Sequence, residues 1–326
     1  MQTVLKVENL QIELVSKKEN VKPVHQVNFE IKAGETLALV GESGSGKSMT
    51  AHAIMGLIQS WNSRLKPNIS GSIIFTDEKG KQHHLNEMND KEYDQIRGKN
   101  LSIIFQEPFT ALNPVVSIGK QLVEVIVTHK KISQQEAIKQ VIQLLEKVGI
   151  PEPEARMSNF PHQFSGGQIQ RIMIAMAIAC EPSCLIADEP TTALDVTIQK
   201  QILDLLKSIQ KEQNMAILLI THDLGVVSNF ADKVAVMYAG HIVEYGSVKQ
   251  IFNKPEHPYT KLLLQSIPTL ETEPGVPLLT KRDLMSEEGR EVGELIFNPN
   301  NVDNYSLVHI AEGHYATKSF TKEIGK

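Results

Sequence analysis

The chain has 326 residues, 41% of them hydrophobic and 22% charged, and 33 Lys and Arg against 38 Asp and Glu give a formal net charge of −5. This balance suits a soluble globular protein of one large domain, or an ordinary domain plus an extension, with no global basic field to draw nucleic acid or anionic lipid. Two cysteines, Cys180 and Cys184, are too few for a disulfide-rich secreted fold or a four-ligand metal site, and they read as small buried hydrophobes beside a strand.

The opening Met-Gln-Thr-Val-Leu-Lys-Val-Glu lacks the basic-then-apolar pattern of a signal peptide. The longest apolar stretch, Ile172 to Cys180, falls short of the ~20 residues that span a bilayer. The expectation is a cytoplasmic protein that meets any membrane through a partner.

Leu5 to Leu14 and Val24 to Ile31 alternate as strands do, and Lys32-Ala33-Gly34-Glu35 makes a turn. Thr36 to Val40 is a continuous apolar run, predicting a strand buried on both faces. A glycine-rich loop follows, then helical spacing from Ser48 to Ile58. Residues 59 to 100 read as polar and irregular, with one hairpin around Asp77 to Gly80. Ser133 to Gly149 predicts a helix capped by Ser133 with Glu136, turning Ile138, Val141, Ile142, Leu145 and Val148 inward. Further helices are predicted from Gly167 to Cys180 and from Val196 to Lys211, the latter with Ile198, Ile202, Leu205 and Ile209 inward. Buried strands at Cys184 to Ala187 and Ala216 to Ile220 alternate with them, and Val234 to Tyr245 reads as a hairpin turning at Ala239-Gly240. Such alternation means an α/β domain with a largely parallel sheet. From about Pro268 to Gly293, prolines, glycines and charges dominate, predicting a small carboxy-terminal extension.

Gly41-Glu42-Ser43-Gly44-Ser45-Gly46-Lys47-Ser48, with Met49 next, fits G-x-x-x-x-G-K-[ST] between a buried strand and a helix. A triphosphate is a dense anion, and glycines permit the dihedrals that turn backbone N–H groups toward it. The helix behind directs its N-terminal dipole at the same phosphates. In this motif Lys47 reaches the β- and γ-phosphates and the Ser48 hydroxyl ligates Mg²⁺. The pattern implies ATP with Mg²⁺.

Cys184-Leu185-Ile186-Ala187-Asp188-Glu189-Pro190 is an apolar strand that ends in two carboxylates. Burying such groups unpaired is costly, and a metal supplies a reason for them. Asp188 is suited to hold Mg²⁺ and Glu189 to orient and activate the attacking water.

Phe164-Ser165-Gly166-Gly167-Gln168 lies at a helix start upstream of these carboxylates. In that position it resembles the signature of ABC ATPases, with Phe164 in place of the usual Leu. The resemblance extends to other marks. Gln106, in Ile104-Phe105-Gln106-Glu107-Pro108, is similar to the glutamine loop that senses Mg²⁺ and the membrane partner. Asp195, in Ala193-Leu194-Asp195, resembles the D-loop that faces the opposite subunit. His222, in Ile220-Thr221-His222-Asp223, resembles the switch histidine that contacts the γ-phosphate. The resemblance implies a P-loop NTPase (RecA-like) α/β core with an antiparallel β-subdomain and a helical signature subdomain at about 107–180. It further implies an ATPase domain at 1–255, an extension at 256–326, and a head-to-tail pair in which Ser165 to Gln168 grip the partner's nucleotide.

Arg97-Gly98, Ile103 to Pro114, and Ile118-Gly119-Lys120-Gln121 are similar to the dipeptide, oligopeptide and nickel importer group, as are His257-Pro258-Tyr259-Thr260, Leu262-Leu263 and Ile267-Pro268. The implied function is ATP hydrolysis powering import of a peptide or a related small solute such as a nickel or metal chelate. The implied partners are a second ATPase subunit (in a heterodimer or a homodimer), two permeases and an external solute-binding protein, with this chain peripheral at the cytoplasmic face. The alternative is a soluble ABC-type ATPase in a non-transport complex. The chain departs from the group in two ways. Many members carry a cysteine cluster in the extension, whereas no cysteine here follows Cys184, although Val308 to His314 resembles the family's tail. Members also stack adenine on an aromatic residue where this chain has Leu14.

Overall fold

The computed structural model describes residues 2–15, 20–58, 66–192, 194–266 and 307–317. Ala193, Ile267, Pro268 and the Pro- and Gly-rich stretch up to Gly293 lie outside them.

The amino-terminal alternation folds as β1 (Thr3–Val15) and β2 (Asn20–Lys32), antiparallel, with Leu5 opposite Ile31 and Leu14 opposite Val21. Every residue of β3 (Thr36–Val40) is buried. The helix behind the glycine loop, α1 (Lys47–Ile54), stops short of the expected Ile58. Gly56 takes a left-handed φ of 64°, which closes the helix end.

Next come β4 (Lys66–Thr76) and β5 (Gln82–His84), which complete a four-stranded sheet in the order β2-β1-β4-β5. The long β4 corrects the expectation of irregular chain. Its outward positions Asn68, Ser70 and Ser72 read as loop, yet Ile73 and Phe75 are fully buried on the other face. The turn at 77–81 is held by Asp77, which accepts the N–H groups of Lys79 and Lys81, both at 2.9 Å.

The chain continues through α2 (Asp90–Tyr93) and β6 (Leu101–Ile104) into a run of helices. These are α3 (Pro108–Ala111), α4 (Ile118–Lys130), α5 (Gln134–Lys147), α6 (Pro153–Arg156) and α7 (Gly166–Ile178). Ser133 does cap α5, accepting the Glu136 N–H at 3.2 Å. The buried stripe of that helix is Ala137, Val141 and Leu145, whereas Ile138 is 37% exposed. A narrow i, i+4 stripe suffices here, and the small Ala137 takes the place expected of Ile138.

Strands and helices then alternate: β7 (Cys184–Asp188), α8 (Val196–Gln213), β8 (Ala216–Thr221), α9 (Leu224–Phe230) and β9 (Lys233–Tyr238). In α8 Leu206 replaces the expected Leu205 as the fully buried leucine, and Ile198 is only half-buried. The remainder is β10 (His241–Ser247), α10 (Val248–Asn253), α11 (Pro258–Gln265) and the hairpin β11 (Leu307–Ala311) with β12 (His314–Thr317).

The large sheet runs β11-β12-β10-β9-β3-β8-β7-β6, parallel from β9 to β6 and antiparallel elsewhere. Its period-two pattern serves two cores. Cys184, Ile186, Leu218 and Ile220 pack with α1 and the antiparallel sheet. Leu185, Ala187, Ile217 and Leu219 pack with Leu122 of α4, Val141 of α5, Ile172 of α7 and Ile202 of α8. Each buried Leu or Ile among them contributes about 1.5–3 kcal/mol by its burial. The tail hairpin continues the large sheet through β12, with Ala316 opposite Glu244 of β10. Among the described residues no helix is long and apolar enough to cross a membrane.

Candidate functional site

Neighbouring parallel strands β3, β8, β7 and β6 end at one edge of the sheet, and each hands over to one part of the site. The phosphate-loop motif follows β3, His222 follows β8, Asp188 ends β7 with Glu189 directly after it, and Gln106 follows β6. The crevice beyond the carboxyl ends of parallel strands is where ligands of open α/β sheets bind.

Lys47 curls back into its own loop and is 5% exposed. Its ammonium donates to the carbonyls of Gly41 and Glu42, both at 2.8 Å, and to Ser45 Oγ at 3.4 Å. Burial lowers its pKa from the usual lysine value, opposed by Glu189, Asp188 and Glu42. Gly46, at φ 105°, starts α1 without any side-chain cap, so the first N–H groups of that helix stay available to an anion. A Cβ at Gly46 would strike the Pro23 carbonyl, and one at Gly41 would strike the Met237 carbonyl. Ser45 is buried, and its carbonyl accepts the Gly240 N–H at 3.0 Å, while Ser43 and Gly44 are exposed. Met49 packs half-buried against the core under the antiparallel sheet, so its side chain serves packing.

Ser48 Oγ donates to Asp188 Oδ1 at 3.2 Å, which joins the loop to the end of β7. Asp188 is 3% exposed, and burial raises its carboxyl above the usual range, with Ser48 and Lys47 acting in the opposite sense. A desolvated carboxylate beside a hydroxyl is an all-oxygen donor pair of the kind Mg²⁺ accepts, so these residues fit that ion.

Glu189 has a left-handed φ of 47°, an uncommon conformation for a side chain of its size. Its Oε1 lies 3.2 Å from His222 Nδ1, and its Oε2 accepts from Gln106 Nε2 at 3.1 Å and Thr192 Oγ1 at 2.8 Å. The fold therefore brings Gln106, Glu189 and His222 together. The sequence marks Thr192 only weakly, as a hydroxyl three residues beyond Glu189. Asp223, beside His222, has a supporting place in the site. It caps α9 through the Gly225 and Val226 N–H groups and accepts from Gln199 at 3.0 Å, which fixes the backbone beside His222.

The signature residues sit elsewhere. Ser165 caps α7 by accepting the Gln168 N–H at 3.4 Å, and Gln168 Oε1 accepts the Ser165 N–H at 3.0 Å. Phe164 is buried in the helical core, where it anchors the turn as Leu would. A Cβ at Gly166 would meet nothing, while one at Gly167 would touch Ile198. Asp195 caps α8 through the Ile198 N–H at 3.0 Å. The hydrogen bonds of Ser165, Gln168 and Asp195 lie within their own helix ends. Leu14 is half-buried, opposite Val21 and Pro67. Cys180 and Cys184 are both free and buried, and burial pushes the Cys184 thiol up to about 12. The described residues hold no group of three or more His, Cys, Asp or Glu placed to bind a metal.

Residues 24–192 match the family described as ABC transporter, a stretch that spans more than half the chain. The chain belongs to the ABC transporter family. Its activity is that of an ABC ATPase, and residues 243–287 match the oligopeptide/dipeptide transporter C-terminal region. This cassette is 51% identical over 271 residues to the dipeptide transport ATP-binding protein DppD of Bacillus subtilis (strain 168), covering 83% of this chain and 78% of the relative. It is 54% identical over 268 residues to the oligopeptide transport ATP-binding protein OppD of the same organism, covering 82% and 73%. A solved dimeric ATP-binding cassette in a post-hydrolysis state, bound to ADP and Pi, superposes with a TM-score of 0.64 at 27% identity, covering 75% of this chain and 98% of that one.

Proposed function

We propose that this cassette is the ATP-hydrolysing subunit of an importer for peptides or related small solutes. The observation that carries the reading is the meeting of Gln106, Glu189 and His222 beside the phosphate-loop motif, in a chain that also carries the oligopeptide/dipeptide transporter C-terminal region. Half-identical relatives named for dipeptide and oligopeptide transport support the solute class.

In this reading Gly41 to Ser48 hold the triphosphate by backbone N–H groups, and Lys47 turns from its own loop carbonyls to the β- and γ-phosphates. Ser48, Asp188 and Gln106 hold Mg²⁺, which neutralises developing phosphate charge when bound. Glu189 orients and deprotonates the attacking water, and His222, pivoting on Glu189, steadies the γ-phosphate. The exposed Ser165 with Gly166 and Gly167, at the N-terminus of α7, grips the nucleotide of a second ATPase subunit, with Asp195 across the same interface. Closure of the pair then depends on ATP and reopening on hydrolysis, with Gln106 passing the motion toward the permeases.

The assembly proposed is two ATPase subunits, as a heterodimer or homodimer, on the cytoplasmic face of two permeases served by an external binding protein. The ATPase unit spans 1–255, with helices from about 107–180 bearing the signature, and the extension spans 256–326. No cysteine follows Cys184, so the extension offers no thiolates for an iron–sulfur cluster. Affinity purification of the tagged chain from detergent-solubilised membranes tests the proposal. It should recover two permeases, and peptides should stimulate ATP turnover once the binding protein is added. Recovery of the chain without permeases, together with peptide-independent turnover, would sink it.

A further inference from the structure

Tyr259 stands 217 positions from the phosphate loop and yet touches it. It is the second residue of α11, and its ring is fully buried against Tyr238, with centroids 4.5 Å apart at 50°. The Tyr259 hydroxyl accepts the backbone N–H of Glu42 at 3.0 Å. That N–H belongs to the same peptide unit as the Gly41 carbonyl, which accepts from Lys47 Nζ at 2.8 Å. A trans amide points its C=O and N–H in opposite directions, and the described residues contain no cis peptide. One peptide plane is therefore held from two sides, by Tyr259 and by the lysine that the motif assigns to phosphate.

The tyrosine is itself held in place. Glu244 of β10 is fully buried, and its carboxylate accepts the N–H groups of Glu256 at 2.9 Å and His257 at 3.0 Å. His314 Nε2 of the tail hairpin lies 2.8 Å from the same carboxylate. His257 in turn caps α11 by accepting the Tyr259 N–H at 3.1 Å. Burial also pushes the phenol well above the usual tyrosine range, so the hydroxyl stays protonated at neutral pH.

We propose that Tyr259 is a positioning residue for the phosphate loop: it sets the rotation of the Gly41–Glu42 peptide and, through it, the resting place of Lys47. The carboxy-terminal region thereby contributes to nucleotide affinity without touching nucleotide. This inference rests on reading Gly41 to Ser48 as the phosphate site.

The test is Tyr259→Phe, which removes the hydroxyl and leaves the ring. Losing one hydrogen bond to the loop should raise the Kd for ATP about 3- to 10-fold while kcat at saturation changes by less than about 2-fold. The melting temperature without nucleotide should stay near that of the parent, and faster amide hydrogen exchange should be confined to peptides covering 41–48. An ATP affinity equal to the parent's would overturn the proposal. So would faster exchange spread across β9, β10 and α11, which would mark a general structural role. A parent protein that itself fails to bind ATP would instead overturn the reading of the site.

Discussion

Glu189 and His222 face each other across the ends of β7 and β8, with Oε1 and Nδ1 3.2 Å apart. The second carboxylate oxygen of Glu189 is occupied by Gln106 and Thr192. Three side chains from three different strand ends or turns thus aim the one carboxylate proposed to activate water. Glu189→Gln should retain ATP binding and slow hydrolysis by at least ~10²-fold. Single-turnover ATPase measurements with a parallel binding assay separate the two steps. Near-normal turnover would remove Glu189 from the catalytic role.

Ser165 is both the N-cap of α7 and the residue expected to meet a partner's γ-phosphate. The two roles separate by substitution. Ser165→Ala loses the cap and should cost about 0.5–2 kcal/mol of stability. Ser165→Asp retains an oxygen acceptor for the Gln168 N–H but sets a negative charge against the triphosphate. It should melt near the parent temperature and lose ATP-dependent dimerisation in gel filtration. Normal dimerisation of Ser165→Asp would confine Ser165 to capping.

The family resemblance implies that Leu14 falls at the adenine-stacking position, where it would offer only an aliphatic face. A stacking contact contributes about 1–3 kcal/mol by analogy with base stacking on nucleic-acid-binding proteins. Leu14→Tyr should therefore bind ATP more tightly, by roughly 10-fold, and prefer ATP over GTP more than the parent does. Unchanged affinities for both nucleotides in equilibrium titrations would show that the base is held by other contacts.

Histidines buried in their neutral form should make the cassette acid-sensitive. Burial, reinforced by the stacked His25 ring, lowers His241 to about 4, and burial beside Lys261 lowers His257 to about 3. An unfolded histidine titrates near 6.5, so below that pH the unfolded chain binds protons that the folded chain refuses. Their contribution is complete above about pH 6.5 and is lost as pH falls toward 4. Melting temperature should fall between pH 7 and pH 5, with a shallower slope in His241→Gln. Equal slopes in the two proteins would assign the acid sensitivity to other groups.

Some features of this protein are local, and local pattern carries them. The phosphate loop is legible because glycines, Lys47 and Ser48 must occupy neighbouring positions between a buried strand and a helix. The runs at β3, β7 and β8 are legible because strands covered on both faces are continuously apolar. The length of β4 was hidden, since a half-exposed strand with serines and asparagine on one face looks like loop until its partner β1 supplies the register. Likewise Ala137 and Leu206 are inward only because neighbouring helices choose the stripe that packs. The sequence by itself determined the family and the ATPase activity, and it named most of the residues proposed to carry that chemistry. Only the tertiary structure decided what surrounds each of them: Thr192 on Glu189, Ser48 on Asp188, and Tyr259 on the amide of Glu42. The reason is physical, since a hydrogen bond between residues 217 positions apart has no period and no spacing, and arises only when the chain is folded.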